Sequence, residues 1–471
     1  MGSEKEQTAG RPNGRCPRCP VLETRIEHLK QENYDLRKRL EEAERAAKRQ
    51  AAPFSKGDPK KDPKKPGRKP GRDYGKRSFR PRPTKVDRVV DVPIKEKCCP
   101  DCGGELCDEC VHEQFVTDIP PVEPTVTQFN VHSATCKRCG RRVQGRHPEQ
   151  ISDALGAASN QIGPNAIAFA AQLNKSTGAS YGKISRFFDA AFELSANRST
   201  LLRALLRTAR KAEPLYERIE IIVRNSGLVY PDETGWKVGG LKEWLWAFPA
   251  PSARATLYVI EPSRGFDVIE AALGADYSGF LGRDGWAPYD GLESAIHQLC
   301  LAHLIVRSRG LMEINRGGAV CFPRDLKVLL QKAIRLGDDR DEERLTRRKF
   351  LAQVHELEWD LDELIAKKFS NDENRKLAGH IIDHRNAIFT FLYHPELEPT
   401  NYHGEQSIRP AVVNRKMSGG GNRTRRGARA QAVLTSVLRT AWQRGLDVVK
   451  LIVDLLRSPD PRQFAEFALG P

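Results

Sequence analysis

Leu22, Ile26, Leu29, Asn33, Leu36, Leu40 and Ala43 stand alternately four and three residues apart, with polar and charged residues between them. That spacing predicts a helix with one apolar seam, three heptads of coiled coil with Ile26, Asn33 and Leu40 at a and Leu22, Leu29, Leu36 and Ala43 at d. An Asn at an a position pairs with its own copy in a parallel dimer and costs stability in other arrangements, so self-association is expected. Apolar positions then become sparse. They return at helical spacing from Asn160 to Asn225, where SYGKISRFFDAAFELSANRSTLLRALLRTARK predicts two amphipathic helices broken between Glu193 and Asn197, with Ser195 capping the second. Such a pair reads either as a helix-turn-helix with Arg198, Arg203 and Arg207 toward DNA or as a plain helical hairpin.

At Gly227 the pattern changes. GLVYPDETGWKV, EWLWAFPAP and ATLYVIEP are apolar runs of strand length, FDVIEAALG has helical spacing, and YSGFLGRDGW is a fourth extended run. Three strands, a helix and a further strand ending in an acid match the element order of a ribonuclease-H-like sheet. From Arg309 to Pro399, LKVLLQKAIRLG, VHELEWDLDELIAKKF and AGHIIDHRNAIFTFLY predict a helical block inserted into that core.

Charge changes the picture at both ends of the chain. The formal net charge is +16, and residues 51–88 hold fourteen Lys or Arg against four Asp, with abundant Pro and Gly and few aliphatic residues. Such a segment cannot bury a core and reads as a disordered linker that contacts a polyanion; within it Arg68, Lys69 and Arg72 of KKPGRKPGR resemble arms that enter minor grooves. No apolar run nears the ~20 residues of a membrane span, and the N-terminus lacks the apolar core of a signal peptide, so a cytoplasmic, nucleoid-associated protein is expected.

Eleven cysteines in such a chain point to metal. Cys99 with Cys102 and Cys136 with Cys139 form two CxxC turns, the four thiolates of a zinc ribbon, with FVTDIP and TVTQFNVHSAT between them read as strands. Cys107 and Cys110, with Cys98 and His112 nearby, could complete a second site; Cys16 and Cys19 could close zinc between two copies or carry no ligand.

The stretch from Pro399 to Leu446 holds nine Arg or Lys and a single acid, Glu405. Asp232 follows the first strand run and Asp284 the fourth. One acid past a strand is often a turn residue; two in this topology suggest phosphoryl transfer, where carboxylates from separate elements hold Mg²⁺ or Mn²⁺. Glu405, in TNYHGEQSIRP with a helix start at Thr400 or Asn401, is the candidate third ligand. Glu233 is a weaker ligand on the opposite strand face, and Asp276 and Asp290 are fallback acids near Asp284.

In this order behind the CPDC segment, YPDETGW with EWLWAF, FLGRDGWAPYDGL, HQLCLAHL and TNYHGEQSIRPAVVNRK resemble the insertion-sequence-66 family of bacterial DDE transposases. The resemblance spans nearly the whole chain, including the coiled coil and the GRKPGR linker. Tyr402 and Gln406 depart from the family pattern, where Asn and Arg are common. The resemblance implies that Asp232, Asp284 and Glu405 form a metal-binding triad and that the protein cleaves transposon-end DNA and joins it to target DNA. Arg409, Arg415 and Lys416 would position the backbone of double-stranded DNA. Cys300 and His303 form a CxxH pair which, with His297, is expected to support the site; Cys321 is the one candidate for a fourth ligand should that trio bind zinc. Small accessory transposition proteins and a homodimer or higher assembly are implied as partners. A DNA-binding regulator that has lost the chemistry and a structure-selective nuclease are the competing readings.

The expectation is therefore a multidomain α/β protein: coiled coil (1–50), basic linker (51–90), zinc ribbon (91–148), helical segment (149–222), ribonuclease-H-like core (223–310), helical insertion (311–398), second part of the core (399–446) and helical tail (447–471).

Overall fold

The computed structural model describes residues 25–29, 31–33, 36, 80–107, 110–418 and 421–470. The chain divides into two compact units, Met1–Phe115 and Val116–Pro471. In the first, residues 25–29, 31–33 and 36 are helical, and Ile26, Leu29 and Leu36 of the expected seam are exposed. Leu22, Leu40, Ala43, Cys16, Cys19 and the linker cations Arg68, Lys69 and Arg72 lie outside the described residues. The unit boundary falls within the segment expected to form a zinc ribbon.

The strands expected between the two CxxC turns are largely missing. FVTDIP forms no ladder, and of TVTQFNVHSAT the last three residues alone form a strand. Pro120, Pro121 and Pro124 supply no backbone N–H, which disfavours pairing there. Instead β1 (Ser133–Thr135) pairs antiparallel with β2 (Arg142–Gln144), and the hairpin encloses the Cys136–Cys139 turn.

The second unit is mixed α/β. Helices α1 (Pro164–Lys175), α2 (Tyr181–Phe192), α3 (Arg198–Lys211) and α4 (Glu213–Arg224) precede the sheet. The α2–α3 break falls where the sequence placed it, with Glu193 left-handed at φ 51°. The cap does not. Asn197, not Ser195, accepts the Thr200 N–H at 2.8 Å, because it stands immediately before the first helical residue, where a side-chain oxygen reaches the N3 amide. Arg198, Arg203 and Arg207 are exposed on α3.

The first strand run divides at Pro231 into β3 (Leu228–Val229) and β4 (Asp232–Val238). β4, β5 (Leu241–Ala250) and β6 (Ala255–Glu261) form an antiparallel meander. The Gly239–Gly240 link, with both residues at positive φ, makes the two-residue turn between β4 and β5 that other residues resist. β3, β7 (Phe280–Arg283) and β8 (Ile296–Leu299) form a parallel sheet with β7 in the middle. Tyr230 donates its N–H to Pro249 O of β5 at 3.0 Å, so the β3–β4 run links the two sheets. α5 (Phe266–Leu273) crosses from β6 toward β7.

Both faces of the meander are buried, as the near-continuous apolar run in β5 requires. Trp246, Phe248 and Leu257 face a core shared with α3, α4, α12 (Arg425–Gln443), α13 (Val448–Arg457) and α14 (Pro461–Leu469). Leu245, Ala247, Tyr258 and Ile260 face Ile408 and Ala411 of α11 (Tyr402–Ser418). The helices before the sheet and the C-terminal tail therefore share its core. The block between β8 and α11 holds α6 (Leu301–Ile314), α7 (Cys321–Asp341), α8 (Arg347–Ile365), α9 (Asp372–Asp383) and α10 (Thr390–Tyr393), packed round a second apolar cluster. It begins at Leu301, ten residues before the expected boundary at 311.

Candidate active site

The parallel pairing of β3 with β7 matches Leu228 with Phe280 and Val229 with Leu281. Asp232 lies three residues beyond Val229, and Asp284 three beyond Leu281. The shared register thus carries both acids past the carboxyl ends of neighbouring strands, where ligands of open α/β sheets bind. The strands approach closely because Gly282 has no side chain: a Cβ there would stand 2.2 Å from Tyr230 Cε1. Each aspartate is oriented by backbone. Asp232 Oδ1 accepts the Glu233 N–H at 2.9 Å, and Asp284 Oδ1 accepts the Trp286 N–H at 3.0 Å.

Glu405 reaches this place through Asn401, a residue the sequence marked only as a possible helix start. The Asn401 carbonyl accepts the Glu405 N–H at 3.0 Å, and its Oδ1 accepts the Gly404 N–H at 3.2 Å. Its Nδ2 donates to Pro231 O at 2.8 Å, and its N–H donates to Cys300 Sγ at 3.1 Å. One buried side chain therefore caps α11 and ties it to the residue before Asp232. The end of β8 is fixed in the same way, Leu301 N–H donating to Pro399 O at 2.9 Å and Cys300 N–H to Arg283 O at 2.8 Å.

Asp284 and Glu405 both act on Asp232. Burial raises Asp232 to about 7, aided by the carboxylates of Glu233, Asp284 and Glu405 and opposed by the Glu233 N–H. Among the described residues no Lys or Arg forms an ion pair with Asp232, Asp284 or Glu405. His303 Nε2 stands 4.0 Å from Glu405 Oε1. A hydrogen bond to Cys300 raises His303 to about 9 against the effect of burial, and the charges of Cys300, Asp284 and Glu405 add to the rise. Cys300, His303 and Glu405 offer ligand atoms all within 4.8 Å of one another. Sulfur, nitrogen and oxygen together suit zinc by type, whereas the oxygen set of the acids suits magnesium.

Two other expected neighbours are engaged elsewhere. His297 accepts Arg283 Nε–H on Nδ1 at 2.9 Å, so its Nε2–H donates to Leu292 O at 3.0 Å, and burial lowers its pKa. Cys321 is exposed at the start of α7 and does not belong to the Cys300 trio. Of the fallback acids, Asp290 pairs with Arg283 and His384, and Asp276 is exposed beyond α5. Glu233 is buried and saturated, accepting from both Nε and Nη2 of Arg264 on Oε1 and from Tyr289 Oη on Oε2 at 2.8 Å. The sequence did not reveal this network, since its members lie far apart along the chain.

Of the nine cations around Glu405, Arg439 lies over the Trp442 ring, and the other eight divide between structure and surface. Arg415 donates to Gly235 O; Arg425 pairs with Glu243 at 2.8 Å, Arg429 with Glu213 at 2.7 Å, and Arg444 donates to Leu469 O at 2.6 Å. Arg409, Lys416, Arg423 and Arg426 are exposed. Arg415, expected to meet DNA, is thus tied to β4 instead.

Outside this centre, the two CxxC turns repeat one geometry. Cys99 N–H donates to Gly104 O and Gly103 N–H to Cys99 O; Cys136 N–H donates to Arg141 O and Gly140 N–H to Cys136 O. Backbone N–H groups within each turn, from Cys102 and from Cys139 first, lower the pKa of Cys99 and of Cys136. Cys110 Sγ lies 3.1 Å from His112 Nε2.

Among the described residues no helix is long and apolar enough to cross a membrane. Residues 160–430, more than half of the chain, match the model of the transposase IS66 family. No curated protein sequence matches the chain.

Proposed function

The chain belongs to the IS66 family of transposases, and we propose that it cuts transposon-end DNA and joins the ends to target DNA at Asp232, Asp284 and Glu405. The observation that carries this reading is the Asp232 carboxylate repelled by those of Asp284 and Glu405, the three drawn from separate elements, with no Lys or Arg paired to them among the described residues. Like charges crowded together with no Lys or Arg to neutralise them are costly, and a divalent cation relieves them. The strand order β6–β5–β4/β3–β7–β8 supports the ribonuclease-H-like reading of the core.

The donor set fits Mg²⁺ or Mn²⁺, which Asp232, Asp284 and Glu405 would hold through oxygen. Held there, such ions would supply activation of the attacking oxygen and stabilisation of the leaving one in phosphodiester cleavage and strand transfer. The protein's own part is orientation. The Glu233 and Trp286 amides aim the two aspartates, Asn401 fixes the helix that carries Glu405, and exposed Arg409 and Lys416 offer charge to the DNA backbone. His303, charged at neutral pH, is placed to hold a proton beside Glu405. We further propose that the two CxxC turns bind structural zinc, which metal content before and after Cys99→Ser or Cys136→Ser would check.

The test is strand transfer of labelled transposon ends with Mg²⁺. Asp232→Asn, Asp284→Asn and Glu405→Gln should each fall below about 1% of wild type while still binding DNA. Full activity in any one of them removes that residue from the site. DNA binding with no cleavage under any divalent ion would favour a regulator, and cleavage without joining a nuclease.

A further inference from the structure

Beside Glu405 runs a groove of about 510 Å³, lined by Ser176 and Thr177 of the α1–α2 loop, by Tyr402, His403, Gln406, Arg409, Pro410 and Val413 of α11, and by Arg439 and Trp442 of α12. Its size is that of a site for a small ligand, within the range of about 300–1,000 Å³. Tyr402 and Arg409 lie one turn before and after Glu405 on the helix, so the groove shares an edge with the acid centre.

Three features of the lining lack a structural purpose. Trp442 is 63% exposed and Tyr402 56% exposed, although both are large aromatic side chains. Arg439 lies 4.7 Å over the Trp442 ring, and its Nε is shielded from solvent with no hydrogen-bond partner among the described residues. Arg409 has no ion-pair partner among them either. Pro410 lies inside α11 and has no N–H, so the Gln406 carbonyl lacks its helical donor and is left to accept from elsewhere.

Aromatic faces, unpaired guanidinium groups and an open carbonyl together match one chemistry. We propose that this groove binds an unpaired DNA nucleotide next to the scissile phosphate, its base stacked on Trp442 or Tyr402, its phosphate on Arg409 and Arg439, and its base edge read by Gln406. A base inside a duplex keeps its faces covered, so only a nucleotide displaced from the helix can use the groove. The proposal rests on the transposase reading for the identity of the DNA, but the groove itself is testable without chemistry.

The experiment uses the full chain without added Mg²⁺ or Mn²⁺, so that no cleavage occurs. Two DNAs of one sequence are compared, a blunt duplex and the same duplex with a short single-stranded overhang carrying 2-aminopurine. Wild type should bind the overhang DNA more tightly than the blunt DNA and change the 2-aminopurine fluorescence. Trp442→Ala should weaken overhang binding about tenfold and leave blunt-duplex binding unchanged, and Trp442→Phe should restore most of it. Arg439→Gln should lower the same preference. Because Trp442 is exposed, its replacement leaves the core intact. Equal binding of the two DNAs by wild type, or an unchanged ratio in both Trp442→Ala and Arg439→Gln, overturns the proposal. A preference measured without Mg²⁺ or Mn²⁺ stands whether or not strand transfer is found, so the two readings fail separately.

Discussion

Asp232 titrates near 7 because burial and three neighbouring carboxylates disfavour its charge. An unfolded aspartate titrates near about 3.9, so the folded value is raised. The stability associated with the neutral form is present below about pH 4 and is lost as pH rises through about 7. Mg²⁺ should therefore raise the melting temperature more at pH 8 than at pH 6, and Asp232→Asn should abolish the difference; thermal unfolding with and without Mg²⁺ measures both. Lys175 shows the opposite case. It is buried on α1, burial lowers it to about 7, and its Nζ donates to Gln431 Oε1 at 2.7 Å. Its folded pKa is depressed, so its contribution to stability is complete above about pH 10.4 and declines as pH falls through 7. Lys175→Met should raise the melting temperature at pH 7 and do so progressively less toward pH 10.

At the level of elements, the site depends on two junctions. Gly282→Ala would drive a methyl group into the Tyr230 ring, pushing β7 from β3 and disturbing the register that aligns Asp232 with Asp284. The expected cost is about 1–3 kcal/mol or more, with loss of Mg²⁺ binding, both readable in unfolding curves. Asn401→Ala removes the cap of α11 and the bond to Pro231 O. About 1 kcal/mol of stability should go, and strand transfer should fall further than stability alone explains, because Glu405 loses its tie to the aspartates. Helices with amphipathic spacing, such as α2, α3 and α8, were legible in the chain. So were the runs that became β5 and β6. The split of the first run at Pro231 was not, because it follows from which neighbour each half pairs with. Ser195 was the wrong cap for a local reason: the helix begins at Arg198, and Asn197 is adjacent to it.

For the whole molecule, charge and fold play different parts. The linker cations are a property of composition, and counterion release predicts their effect. Replacing Arg68, Lys69 and Arg72 with Gln should reduce the slope of log affinity against log salt by at most about 3, measured on double-stranded DNA. The cations after Glu405 could not be counted in that way. Arg415, Arg425, Arg429 and Arg444 bind backbone or acids of the fold, and only the contacts separate them from exposed Arg409 and Lys416. By itself the sequence determined the family through the order of its motifs, the basic character through composition, and most helices and strands through periodicity, since each depends on residues close together in the chain. Tertiary structure decided what depends on distance: that Asp284 and Glu405 come within electrostatic reach of Asp232, that Asn401 ties the helix of Glu405 to the residue before Asp232, that His297 serves Arg283, and that a lone acid among nine cations is left unneutralised by them. Register, close approach at a glycine and competition for hydrogen-bond partners settle these matters, and none of them has a signature along a single strand or helix.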